Sequence, residues 1–343
     1  MKDKKEYKKA EYRILVIGLI AVLAVVCIVA LCAGQYSISI PEVVKILASR
    51  FVNVTKTWNN TAEGVVFTLR LPRIIGAVLV GGALSLSGAA YQGVFQNPLV
   101  APDLLGVSSG ACVGASVAIL LHLNSFGVQA MAFGAGILAV GLTIFIPHLI
   151  RNTNMTMLVL SGIIVKGIMD SVMGIIKYVA DPETELQSIT YWQLGSLTKV
   201  LPRDLMAVGP VIILGALVIF LLRWRINILS LGDKEAKTLG VSVAAVRNLL
   251  IICATLLTAS AVCISGTIGW IGLVIPHFAR MLTGPDNTKA IPVSILMGAI
   301  FMVAIDTMAR ALTSVELPLS ILTGIIGAPF YILILARQRM KLS

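Results

Sequence analysis

Charged side chains are scarce in this sequence: Asp, Glu, Lys and Arg together form 13% of 343 residues. Soluble domains carry nearer a quarter, so a freestanding water-soluble fold is excluded. Histidine is rarer still, and His122, His148 and His277 are dispersed without metal-ligand spacing, so no metal site is expected. The five cysteines, Cys27, Cys32, Cys112, Cys253 and Cys263, sit inside apolar runs without paired spacing and read as small packing residues. There is no G-x-x-x-x-G-K-[ST], hence no P-loop, and no Ser/His/Asp or paired-carboxylate arrangement. The chain therefore does not read as an enzyme, and any ATP it uses must be bound by another subunit.

What is abundant is oil. Hydrophobic residues make up 57% of the chain and the mean hydropathy is +0.94, which defines an integral membrane protein. A helix needs about 20 apolar residues to cross the hydrocarbon core, and long unbroken runs exclude a β-barrel. Apolar segments fall near 13–35, 74–95, 104–121, 128–149, 156–179, 205–222, 247–266, 268–282, 291–312 and 319–336. The expectation is an all-α polytopic membrane protein of about ten spans forming one transmembrane domain over 1–343. The first span is retained rather than cleaved. The eighth is short and contains Pro276, so a partial helix is expected there.

The net charge of +11 does not point to nucleic acid, because the basic residues cluster at span ends. They are topology signals. With ten spans both termini share a side, and that side collects Lys2, Lys4, Lys5, Lys8, Lys9, Arg13, Arg151, Arg223, Arg225, Lys234, Lys237, Arg247, Arg280, Lys289, Arg337, Arg339 and Lys341. The other side holds fewer, among them Arg70, Arg73 and Arg310. Both termini are thus expected in the cytoplasm, with 1–12 as a cytoplasmic tail. The stretch ISIPEVVKILASRF reads as a short amphipathic helix on the outer side, an interfacial lid packing on the bundle, and 180–204 as an external loop with Tyr191 and Trp192 at the interface.

Several features are candidates for work. The segments starting at Arg73 and Arg247 both reach a Leu-Val-x-Pro ending at the same offset, a candidate inverted repeat of the kind found in transporters. Gly76, Gly81, Gly82, Ser85, Gly88, Gly106, Ser108, Ser109, Gly110 and Gly114 crowd the second and third spans, for close packing or for substrate contact. Lys166 and Asp170 lie four apart in an apolar span, where they could pair structurally or line a pathway. Asp306 and Arg310 repeat that spacing as a structural pair. Between the sixth and seventh spans, NILSLGDKEAKTLGVSVAAVRNLL is a polar foot. Ser230 or Asp233 suits a helix cap, Asp233 and Lys237 an i,i+4 pair, Gly240 a left-handed stop and Ser242 a second cap. The pattern predicts a two-helix cytoplasmic knob over 223–246.

The blocks RLPRIIGAVLVGGALSLSGAAYQGVFQNPLVAPDLLGVSSGA, LGDKEAKTLGVSV, GTIGWIGLVIPHFAR and ELPLSILTGIIGAPFYILIL resemble the permease subunits of ABC importers for iron-siderophore complexes, haem and cobalamin. The resemblance covers nearly the whole chain after about residue 35. It implies a homodimer or close heterodimer with a second permease copy or paralogue, the path lined by the fifth and tenth spans. It further implies two cytoplasmic ATP-binding subunits that carry ATP and Mg2+, and an extracellular or periplasmic substrate-binding protein, in a bacterial cytoplasmic membrane. No cofactor bound directly by the chain is implied. The knob would dock into the ATPase through Gly232, Asp233, Glu235, Ala236, Leu239 and Gly240. Arg70, Arg73 and Arg310 would meet acidic residues of the binding protein. Two departures stand out: 53–64 looks like a longer external loop, and Lys166 with Asp170 adds charge to the fifth span. The expected function is ferric-siderophore import by alternating access, with haem and cobalamin open. The alternative is an ion-coupled secondary transporter.

Overall fold

Glycines, prolines and charged clusters interrupt the apolar runs, and helices begin and end at those interruptions. The computed structural model describes the chain at residues 2–152, 154–313 and 315–339, with side chains over 10–332 of these. The side chains of Lys2, Lys4, Lys5, Lys8, Lys9, Arg337 and Arg339, and all of Lys341, lie outside the described residues. Regular structure among the described residues is entirely helical. After α1 (Lys2–Cys32) come α2 (Ile40–Ala48) and a single turn α3 (Asn60–Gly64), which passes through a π-turn at Val65–Arg70 into α4 (Leu71–Val94). Then follow α5 (Val107–Leu120), α6 (Ser125–Leu149), α7 (Met155–Val179), α8 (Glu185–Leu194) and α9 (Pro202–Leu229). The chain continues with α10 (Asp233–Thr238), α11 (Val243–Ser265), α12 (Ile271–Thr283), α13 (Asn287–Ala311) and α14 (Leu319–Arg339).

Each expected span finds a helix. Seven helices among the described residues are long and apolar enough to cross a membrane, and α5, α12 and the Leu319–Ile332 part of α14 are shorter. The second span starts earlier than its apolar run. Asn59 accepts hydrogen bonds from the Thr61 and Ala62 N–H groups, so helix begins inside the segment expected to be loop. Pro72 would normally break such a helix, because its ring crowds the carbonyl four residues back. The π-turn widens the backbone just upstream, with the Leu71 N–H reaching Val66 O, and the helix continues.

Burial sorts the helices. α1 leaves Ile14, Ile17 and Val25 more than half exposed, as a lipid-facing helix must, whereas α4 is buried almost throughout from Ile74 to Val94. Between apolar helices in lipid the hydrophobic effect supplies no attraction, so close packing and hydrogen bonds must do so. Gly81 of α4 abuts Gly298 of α13 so closely that a Cβ on either would fall within 2.4 Å of the other's carbonyl oxygen. Gly88 abuts Gly272 of α12, where a Cβ on Gly88 would fall 1.8 Å from the Gly272 carbonyl oxygen and one on Gly272 would strike the Pro102 ring. Hydroxyl bonds add to this: Ser85 to Ser294 at 2.8 Å, Ser87 to Thr258 at 2.7 Å and Tyr91 to Thr255 at 2.8 Å. The amphipathic α2 lies over the bundle on buried Val43 and Ile46, as its pattern predicts.

The bundle has two polar ends. One gathers the close of α1, α8, the turn before α9, the close of α13 and the head of α14; the other gathers the close of α4, α9 and α12 with α10. Two helices stop halfway. Gly106, at φ +82°, turns the chain beside Val165 in the middle of α7, and α5 runs from there toward Glu185 of α8, which meets His122 at 3.6 Å. α12 starts beside Gly88 and Pro102 and runs to the opposite end, where Arg280 reaches Gln92. α4 with α5 and α11 with α12 thus follow one helix, turn and half-helix plan in opposite senses, which is what the Arg73/Arg247 offset anticipates. The connections differ in length.

Substituting Gly298→Val should push α13 off α4 and lower stability by about 1–3 kcal/mol, whereas Gly134→Val, whose Cβ meets nothing within 4 Å, should cost under about 1 kcal/mol. Thermal midpoints in detergent check the contrast.

Candidate functional site

At the first end the three arginines singled out by sequence lie together and are nearly covered, with exposures of 5% for Arg70, 8% for Arg73 and 7% for Arg310. Two of them close off α1. The last carbonyls of a helix lack internal partners. Arg70 donates to Leu31 O at 2.6 Å, Cys32 O at 3.2 Å and Tyr36 O, and Arg310 donates to Ala33 O at 2.7 Å and to Ala30 O. Gly34, at φ +141°, is needed here because a Cβ would sit 2.8 Å from Arg70 Nη2.

Arg73 is held by carboxylates instead. Its Nε donates to both oxygens of Asp306 at 2.9 and 3.0 Å, while Nη1 and Nη2 fork onto Glu316 at 2.8 and 2.9 Å. Asp306 is 1% exposed, and an ion buried that deeply is tolerable only when paired and hydrogen-bonded. Arg310 supports it from 3.8 Å, the expected i,i+4 pair, but Arg73 is the tighter partner. Glu316 also accepts from Thr198 Oγ1 at 2.5 Å. Burial pushes the Glu316 carboxyl up, but the hydrogen bonds from Arg73 and Thr198 outweigh it and hold the group below the usual glutamate range. Beside Glu316 lies an open hollow of about 760 Å³, walled by Leu186, Thr190 and Tyr191 of α8 and by Val315. Trp192 is half-buried and packs against the core, while Tyr191 is exposed. Glu316 was not singled out in the sequence; its only sign there was its place in the ELPL block.

Midway along the bundle, a cavity of about 310 Å³ sits where α5 and α12 begin, lined by Asp103, Ser108, Ser109, Asp170, Gln193 and Thr267 among others. Lys166 does not pair with Asp170. Its Nζ lies 3.6 Å from Asp103 Oδ2, because the 3-10 turn at Pro102–Leu105 abuts the middle of α7 and brings in a carboxylate that helical spacing could not reveal. Lys166 and Asp170 are both exposed on α7. Trp270, which precedes α12, has φ +71°, a conformation rare for a bulky side chain. Its ring meets Tyr331 of α14 edge-on at 6.3 Å.

At the opposite end the polar foot forms a knob of the expected kind. Gly232, at φ +115°, and Gly240, at φ +76°, bracket α10, and Ser242 opens α11. Ala236 is fully buried and anchors the knob, while Glu235 and Leu239 are exposed. Its wiring differs from expectation in three respects, the first being that Ser242 stands at the N-cap of α11 without a side-chain capping bond. Gly232 is the N-cap, with no side chain capping α10, and Ser230 bonds back to Ile226 O at 2.9 Å. Asp233 pairs with Arg247 at 2.6 Å, not with Lys237. A guanidinium can address both carboxylate oxygens, at 2.6 and 3.3 Å here, and a lone exposed lysine pair is worth little against that.

A bundle of span-length apolar helices with half-helices meeting inside it, a polar knob at one end and an arginine cluster at the other is the architecture of a multi-pass membrane protein. Residues 22–337 match the model of the FecCD transport family, and the chain belongs to that family, whose members are permeases of ABC transport systems. The molybdate import system permease MolB of Haemophilus influenzae is 37% identical over 93% of this chain and 94% of that protein. A probable iron chelatin transport permease of Helicobacter pylori is 41% identical over 80% of this chain and 83% of its own. Among solved structures, a metal-chelate type ABC transporter in an inward-facing conformation superposes with a TM-score of 0.84 at 35% identity, covering 94% of this chain and 98% of that one.

Because the Glu316 pKa is lowered on folding, its contribution to stability is complete above the ordinary glutamate range and is lost as pH falls through and below about 4. Glu316→Gln should therefore flatten the acid limb of the thermal midpoint plotted against pH, without changing its slope above about pH 6.

Proposed function

We propose that this permease imports a metal chelate, with ferric siderophore as the cargo class, by alternating access driven from the cytoplasm by two ATP-binding subunits. The observation that carries the reading is the knob: a rigid, polar, glycine-bracketed protrusion clamped to α11 through Asp233 and Arg247 in a chain with no nucleotide motif. A lever of this kind needs an external engine. Gly232, Asp233, Glu235, Ala236, Leu239 and Gly240 form the contact with the ATPase, and ATP with Mg2+ binds there, not on this chain. The positive-inside bias supports a cytoplasmic knob and cytoplasmic termini in a bacterial plasma membrane.

At the outer end Arg70, Arg73 and Arg310 form the docking region for a substrate-binding protein, whose loaded form favours the outward-open state by differential contacts. A second permease copy or paralogue completes the path, with Lys166 and Asp170 on its wall. The molybdate permease relative, matched over nearly the full chain, supports an oxyanion as the second reading of the cargo.

Co-reconstitution with the ATPase partner and binding protein should give ATP-dependent uptake, and a panel of ferric chelates, haem, cobalamin and molybdate selects the cargo. Glu235→Arg should cut uptake about tenfold or more while insertion is unchanged. Accumulation in vesicles lacking any ATPase would instead identify an ion-coupled secondary transporter.

A further inference from the structure

We propose that Glu316 is an internal stand-in for a partner's carboxylate: it occupies the Arg73 guanidinium until an acidic side chain of a docking protein replaces it. This rests on the reading of the arginine end as a docking region and names what docking must displace. The Arg73 guanidinium has two hydrogen-bonding edges. Asp306, 1% exposed, takes Nε and stays buried. The other edge is the forked pair of Nη donors, and Glu316 fills it at 2.8 and 2.9 Å. Glu316 is the member on the solvent side, its side chain 36% exposed against 9% for Arg73. Any carboxylate arriving from solution would need that same fork, so Glu316 and the arrival compete for one place.

Charge points the same way. Arg70, Arg73 and Arg310 against Asp306 and Glu316 leave a single net positive charge in the cluster; with Glu316 swung away there are two. An acidic partner therefore meets a muted field while Glu316 is seated and a stronger one once it leaves. The space is also present. The turn bearing Glu316 walls the open hollow of about 760 Å³, so the Glu316 side chain has room to swing away from Arg73 without parting packed helices. Displacement also has a mechanical result. Glu316 and Thr198 join the head of α14 to the turn before α9, alongside the backbone bond from Leu319 N–H to Gly195 O at 3.0 Å. Exchange at Arg73 removes the side-chain part of that join.

The test is the affinity of the cognate substrate-binding protein for the assembled transporter in nanodiscs. Glu316→Gln should tighten binding by about three- to tenfold, Arg73→Gln should weaken it, and the double variant should follow Arg73→Gln. A brace of purely structural value gives the opposite sign for Glu316→Gln. Thr198→Val keeps every charge, takes one donor from Glu316 and should tighten binding by about twofold, which serves if the glutamine variant is unstable. Weakened or unchanged binding in Glu316→Gln and Thr198→Val, with Arg73→Gln still impaired, overturns the stand-in and leaves the docking reading intact. Unchanged binding in Arg73→Gln overturns the docking reading and the stand-in with it.

Discussion

The approach of α4 to its neighbours at Gly81 and Gly88 is the constraint on which the rest of the bundle depends. In lipid, two apolar helices gain little by touching unless their backbones come close enough for dense van der Waals contact. The glycine pairs permit that approach to α13 and α12, and the hydroxyls of Ser85, Ser87 and Tyr91 set the rotation of α4 within it. With α4 fixed, its two ends are fixed as well. Arg73 arrives beside Asp306 at one, and Gln92 beside Arg280 at the other.

The ends differ in how they hold charge. At the arginine end three guanidiniums are consumed internally, two by the exposed carbonyls of α1 and one by carboxylates. Their burial is tolerated because most of their donors find acceptors, Arg310 Nε being the exception. At the knob end the charges stand in the open, and a single clamp, Asp233 with Arg247, fixes the orientation of α10. One end is thus a tightly wired plate and the other a presented surface.

The transmembrane plan was legible because apolar runs of span length have no other stable fate in a bilayer, and even the partial eighth helix was signalled by the shortness of its apolar run, although Pro276 lies inside α12 without ending it. The knob was legible from its glycines and from polar residues in the wrong surroundings. The wiring was not. Asp103 is the partner of Lys166, Arg247 that of Asp233 and Arg73 the tighter partner of Asp306, the last across 233 residues. Helical periodicity offers only neighbours three or four positions away, so it proposed Asp170, Lys237 and Arg310. The early start of the second span was hidden for a related reason: a π-turn that accommodates Pro72 has no periodic signature.

The two half-helices carry a final consequence. Both begin midway along the bundle, where the turn before α12 takes up some of its first amides, Ile271 N–H on Gly269 O and Leu273 N–H on Trp270 O. The cavity of about 310 Å³ where they begin is lined by Asp103, Ser108, Ser109 and Asp170 among others, so the subunit holds a polar pause inside the insulating layer. Such a pause shortens the dry barrier on either side of it.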